Sequence, residues 1–85
     1  MTLDEAKKLK PNQHLYYKSI YTLLPDEIDV LELKYDIHNK LEVHLQDGSY
    51  IQEKDLEQLF STKAECINSC INDLKERILK LESIK

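Results

Sequence analysis

Tryptophan is absent from this chain of 85 residues, glycine and phenylalanine occur once each, and proline and cysteine twice each. Each shortage closes a class of function. A phosphate-cradling loop is built from several glycines, so the solitary Gly48 excludes one. No apolar run approaches the ~20 residues that a membrane-spanning helix needs. The opening "MTLDEAKKLKP" places acids before its lysines and has no apolar core, which is not the pattern of a secretory signal. Without such a signal, Cys66 and Cys70 are expected as free thiols in a reducing compartment, and a cytoplasmic location follows. Positive charge is scarce as well. Residues 26–57 hold ten acids against three lysines, a net of −7, whereas residues 61–85 hold five basic and four acidic residues. Such an acidic middle repels a phosphate backbone and argues against direct nucleic-acid binding.

What remains is enough for one small domain spanning residues 1–85. Hydrophobic residues make up 41% and charged residues 33%. A chain of this length is marginally stable on its own core, and oligomerisation is one of the usual remedies. "LDEAKKL" (residues 3–9) reads as a short helix, with Thr2 and Glu5 at capping-box spacing and Pro11 ending it. "HLYYKSIYTLL" reads as a strand carrying Leu15, Tyr17 and Ile20. In "EIDVLELKYDI" the apolar face changes parity near Val30 and Leu31, which predicts a β-bulge or sharp bend. "HNK" (residues 38–40) is a turn. "LEVHL" alternates cleanly, with Leu41, Val43 and Leu45 inward, and Asp47-Gly48 is a strong hairpin signal leading into "SYIQ". From Phe60 the period changes to three and four. Thr62 and Glu65 have capping-box spacing, and one helix of roughly 22 residues is expected to fill residues 61–85.

Three stretches carry a family resemblance. "LKPNQHLYY" resembles the LKPG-x-x-V-Y opening of small SH3-like or KOW-like barrels, with Asn12 where glycine is usual; asparagine tolerates positive φ, so the turn survives. "LEVHLQDGSYIQEKDL" resembles the strand, DG turn and strand that close such barrels. "LFSTKAECI" resembles the LF-x-T-K-x-E-A start of a C-terminal helix in short phage and mobile-element proteins of unassigned function. The resemblance implies an α+β fold: a short N-terminal helix, an SH3-like curved antiparallel sheet or barrel within residues 1–60, and a long C-terminal helix. It transfers no catalytic residue and no single activity.

The C-terminal helix carries the most specific pattern. Phe60, Ala64, Ile67, Ile71, Leu74, Ile78 and Leu81 are spaced 4, 3, 4, 3, 4 and 3. That is a heptad with Ala64, Ile71 and Ile78 at a, and Phe60, Ile67, Leu74 and Leu81 at d. Isoleucine at a with leucine at d favours parallel two-stranded coiled coils. Arg77 at g and Glu82 at e have opposite signs, as a g-to-e′ pair between parallel chains requires. Cys70 flanks the seam at g. The plainer reading is a stripe packed on the chain's own sheet. Length separates the two, because a small barrel is roughly 20 Å across and the last two helical turns would overhang it. The expected interface is therefore Ala64, Ile67, Cys70, Ile71, Leu74, Arg77, Ile78, Leu81 and Glu82, and the expected partner is a second copy.

Candidates for chemistry are weaker. Cys66 and Cys70, one helical turn apart, lack the C-x₂-C spacing of a zinc knuckle and would need His38 and His44 to converge on them. Their geometry is also poor for a disulfide, so packing is expected, with no metal and no cofactor. His14, His38 and His44 have no nucleophile at a catalytic spacing. Glu53, Asp55 and Glu57 read as a charged turn anchored by Leu56. Of Tyr16, Tyr17, Tyr21, Tyr35 and Tyr50, about half are expected in the core, Tyr17 and Tyr35 among them, the others being candidates for a peptide groove. Residue by residue, the reading is a non-enzymatic protein-interaction module that self-associates through its helix. The alternative is an inhibitor whose acidic surface imitates DNA and blocks a host nucleic-acid enzyme.

Overall fold

The computed structural model describes residues 1–19, 22 and 24–85. In chain order the elements are α1 (Leu3–Ala6), β1 (His14–Lys18), β2 (Pro25–Tyr35), β3 (Leu41–Leu45), β4 (Tyr50–Gln52), a 3-10 helix (Glu53–Gln58), β5 (Leu59–Phe60) and α2 (Lys63–Ser83). The fold is α+β: one five-stranded antiparallel sheet of order β4-β3-β2-β1-β5, with a short helix before it and a long one after it. The sheet curls but is not closed. Ile20 and Tyr21 lie outside the described residues.

The expected bulge is present, and its backbone bonds show what fixes it. Val30 pairs with Leu45 and Glu32 with His44, so Leu31 is the extra residue and the register slips by one around it. The Val30 carbonyl accepts from the Asn12 N–H at 2.7 Å and from the Gln46 side-chain amide at 3.2 Å. Gln46 also donates to the Asn12 side chain at 3.0 Å. Asn12 reaches this position with φ 68°, the left-handed conformation that asparagine adopts more readily than most residues. The bulge turns β2 so that Ile28 and Val30 face the core before it and Leu33 after it.

Beneath the curl lies a core of Ala6, Leu9, Leu15, Val30, Leu41, Val43, Leu45, Ile51, Leu56 and Leu59, with Tyr17 packed against it. Leu41, Val43 and Leu45 point inward as their alternation requires. Fully burying one such leucine contributes ~1.5–3 kcal/mol. Tyr35 departs from expectation. It shares the inward parity, but it is the last residue of β2 and is half exposed.

At the N-terminus the Thr2–Glu5 capping box forms, the Glu5 N–H donating to Thr2 Oγ1 at 3.2 Å and the Thr2 N–H to Glu5 at 3.1 Å. The helix stops at Ala6, well before Pro11. Tighter turns follow, with the Leu9 N–H donating to the Ala6 carbonyl, and this spacing lets both Ala6 and Leu9 enter the core. The charged run 53–57 winds into the 3-10 helix, with Leu56 as its buried anchor. Phe60 belongs to β5, opposite Tyr16, and not to the C-terminal helix. The Thr62 cap, whose hydroxyl accepts from the Glu65 N–H, starts α2 only at Lys63.

Gly48 closes the β3–β4 hairpin with φ +91°, and a β-carbon there would meet nothing within 4 Å. The cost of a side chain is therefore conformational alone. Gly48→Ala should lower the unfolding free energy by about 1 kcal/mol in urea titrations. An unchanged midpoint would mean that the turn accepts another backbone conformation.

Candidate functional site on the C-terminal helix

The helix α2 has two working faces, set by one buried cation. Lys18 ends β1 and is only 8% exposed, which lysine tolerates only when paired. Its Nζ lies 2.7 Å from Asp73 Oδ2 and donates to Ser69 Oγ at 2.9 Å. Ser69 and Asp73 stand one turn apart on α2. Cys66 and Cys70 share their face, buried at 0% and 5% exposure. The set 66, 69, 70 and 73 follows the i, i+3, i+4, i+7 spacing of one helical stripe. Small side chains at three of these positions bring the helix axis close to β1, and Asp73 meets the ammonium. Alternation along β1 puts Leu15 and Tyr17 toward the core and Lys18 toward the helix.

The heptad stripe faces elsewhere. At 100° per residue its centre lies roughly 110° around the helix from the docked stripe. Exposure rises along it: Ile67 38%, Ile71 42%, Leu74 45%, Ile78 54% and Leu81 61%. Leu79 and Ile84 add further exposed apolar surface. The helix touches β1, β2 and β5, and every residue from Leu74 onward is exposed. Twenty-one residues span about 31 Å, and the molecule is 46 × 27 × 22 Å. The radius of gyration, 14.5 Å, exceeds the ~12 Å of a compact globule of this length. The second half of α2 thus projects beyond the body. Ala64, Ile67, Ile71, Leu74, Arg77, Ile78, Leu81 and Glu82 are all exposed, whereas Cys70, grouped with them from its g position, is turned into the body.

The remaining candidates fall into structural roles. Both thiols are free. Burial, the neighbouring Cys70 and the carboxylate of Asp26 push the Cys66 thiol up to about 11, which suppresses the reactive thiolate. Among the described residues, no three side chains of histidine, cysteine, aspartate or glutamate converge as a metal site. His14 bonds Asp29 at 2.8 Å and lies 3.7 Å from Glu27. The bond to Asp29 outweighs the cost of desolvation and holds the imidazole above its ordinary value. His44 bonds Glu42 at 3.0 Å and stacks on Tyr50, with ring centroids 5.2 Å apart. His38 lies in the exposed β2–β3 turn, where the Asp36 carboxylate accepts from the backbone N–H groups of His38 and Lys40. A cleft of about 370 Å³ opens beside that turn, but its rim mixes Lys40 and Lys54 with Asp36, Glu42 and Glu53, and Lys40 pairs with Glu53 across it. No described helix is long and apolar enough to cross a membrane.

Comparison with protein-family models, curated proteins and solved structures gives no match. The residues that sequence reasoning passed over are Lys18, Ser69 and Asp73. Their signal was the second stripe on α2, small and polar at helical spacing, which apolar periodicity alone does not register.

Stranding a buried ammonium costs more than replacing it. Asp73 keeps 38% of its side chain exposed, so water moderates the penalty. Asp73→Ala should destabilise the fold by about 1–3 kcal/mol, below the cost of breaking a fully buried pair. Lys18→Met, which fills similar volume without a charge, should cost less, and adding it to Asp73→Ala should recover stability. Urea denaturation of the three variants checks this ordering. Equal, additive losses would contradict the latch.

Proposed function

We propose that this chain is a non-enzymatic protein-interaction module that pairs with a second copy of itself along the outer face of α2. One observation carries the proposal: a heptad of isoleucine and leucine lies open on a helix that is docked to its own domain by a different stripe. The body sits to one side of the seam, so a second helix can approach it. A parallel arrangement places Arg77 of one copy opposite Glu82 of the other, at the g and e′ positions that flank the apolar contact. Three heptads alone make a marginal dimer, and the domain then contributes to holding the pair.

The scaffold reading is SH3-like. Support comes from the strand order β4-β3-β2-β1-β5, the 3-10 helix between β4 and β5, and the return of β5 to β1. The phage or mobile-element origin rests on the quoted motifs, and the cytoplasmic location on the cysteines and the N-terminal pattern. The inhibitor reading draws on the −7 of residues 26–57. Five of those ten acids, Glu27, Asp29, Glu32, Glu42 and Glu53, lie within 4 Å of a basic side chain of the same chain. An array of free carboxylates imitating a phosphate backbone is thereby halved, and self-association is preferred.

Light scattering coupled to gel filtration tests this. Wild-type protein should elute with twice the 10.1 kDa chain mass, and Leu74→Glu, at an exposed site that the monomer fold does not use, should return it to the single-chain mass. A single-chain mass for both proteins at all concentrations would exclude the pairing.

A further inference from the structure

A second concave site lies between strands β1 and β2 and the β3–β4 hairpin, lined by no residue of α2. It has a volume of about 240 Å³, below the ~300–1,000 Å³ of pockets that hold drug-sized ligands. Ile28 of β2 and Leu45 of β3 contribute apolar surface to it, and Tyr17 and Tyr50 line it from β1 and β4. Its charged groups are of one sign. Asp26 stands directly across the β1–β2 ladder from Tyr17, Asp55 comes from the 3-10 helix, and Asp47 from the hairpin turn. No lysine, arginine or histidine lines it.

The state of these groups favours a cation. Burial and the negative charge of Asp55 both push the Tyr17 phenol upward, so that carboxylate's field reaches the ring. Hydrogen bonds from the Ser49 hydroxyl and N–H hold the Asp47 carboxyl below the usual range, keeping it ionised. Among the described residues, Asp26 and Asp55 have no ion pair, unlike Glu27 and Asp29 in the adjoining shallow groove, which hold His14. Tyr50 stacks on His44, with ring centroids 5.2 Å apart, which restricts the ring's motion. Apolar surface, two aromatic rings and uncompensated carboxylates match a long basic side chain: its methylene stem packs on the apolar groups and its charged head meets ring and carboxylate.

We propose that this cleft binds a single arginine or lysine side chain presented by an extended basic segment of a partner protein. The ligand class is set by charge complementarity and by volume. None of the helix-seam residues lines the site.

Amide NMR spectra of 15N-labelled full-length protein, at about 0.15 M salt to screen charges more than ~8 Å apart, provide the test. The probe is an acetylated, amidated Gly-Arg-Gly-Arg-Gly peptide, with Gly-Glu-Gly-Glu-Gly as control. The expected result is saturable shifts at Tyr17, Ser49, Tyr50 and Asp55 with the arginine peptide only. Affinity should weaken about tenfold in Tyr50→Ala and again in Asp55→Asn. Tyr50 is half exposed, so its removal leaves the core intact. Absence of saturable shifts overturns the proposal. So do shifts spread over all the acidic residues with affinity unchanged in both variants, which is diffuse attraction. Equal saturation of the same amides by spermidine would also overturn it, because the cleft would then read charge without a peptide.

Discussion

One ammonium group decides how this molecule is assembled. Lys18 lies at the end of a strand whose other face is core, and its side chain is covered by a helix, so it requires an acceptor there. Asp73 and Ser69 supply it, and in doing so they fix the rotation of α2 about its axis. Area alone would favour the opposite rotation, because isoleucine and leucine gain more from burial than cysteine and serine do. That rotation would leave Lys18 without its partner and hold the helix farther from β1. The connection adds to the constraint, since only Ser61 and Thr62 separate β5 from α2.

The proposed self-association follows from that choice of face. A helix spending its small and polar stripe on its own domain retains its apolar stripe for something else. The helix is also longer than the surface it covers, and its free half is where the heptad is least shielded. A domain of this size has a modest core, and a second copy is a direct way to cover what the first leaves open. The cleft between β1, β2 and the β3–β4 hairpin is the complementary case: its open surface is charged and aromatic, and it suits a side chain rather than a helix.

Much of this was legible in the residues. The parity change at Val30 and Leu31 is a bulge, Asn12 takes a positive φ, and Asp47-Gly48 turns the hairpin. Thr2 and Thr62 cap the helices they were expected to cap. These features are local, written in turn chemistry and in a period of two. The 3-10 helix and the two-residue β5 are too short to have a period, so Phe60 extended the heptad by spacing alone. Tyr35 has the inward parity of a core residue, but it ends β2 and is half exposed. The rotation of α2 was illegible for a deeper reason. A hydropathy pattern records which residues are apolar and not which are covered, and the decisive partner, Lys18, is 55 residues from Asp73 in sequence. Cys66 and Cys70 therefore matter differently from their first impression, as the small side chains that let the helix close on the strand.

Those two thiols report the central claim directly. Alkylation by iodoacetamide, followed by mass spectrometry on the native protein and on protein unfolded in urea, measures whether the cysteine stripe of α2 faces the sheet. With Cys66 and Cys70 buried and the Cys66 thiol pushed up to about 11, native protein should remain unmodified while the unfolded chain takes up two adducts. Rapid double alkylation of the native protein would place the cysteines outside and the isoleucine seam against the sheet, contradicting the latch and the interface built on it.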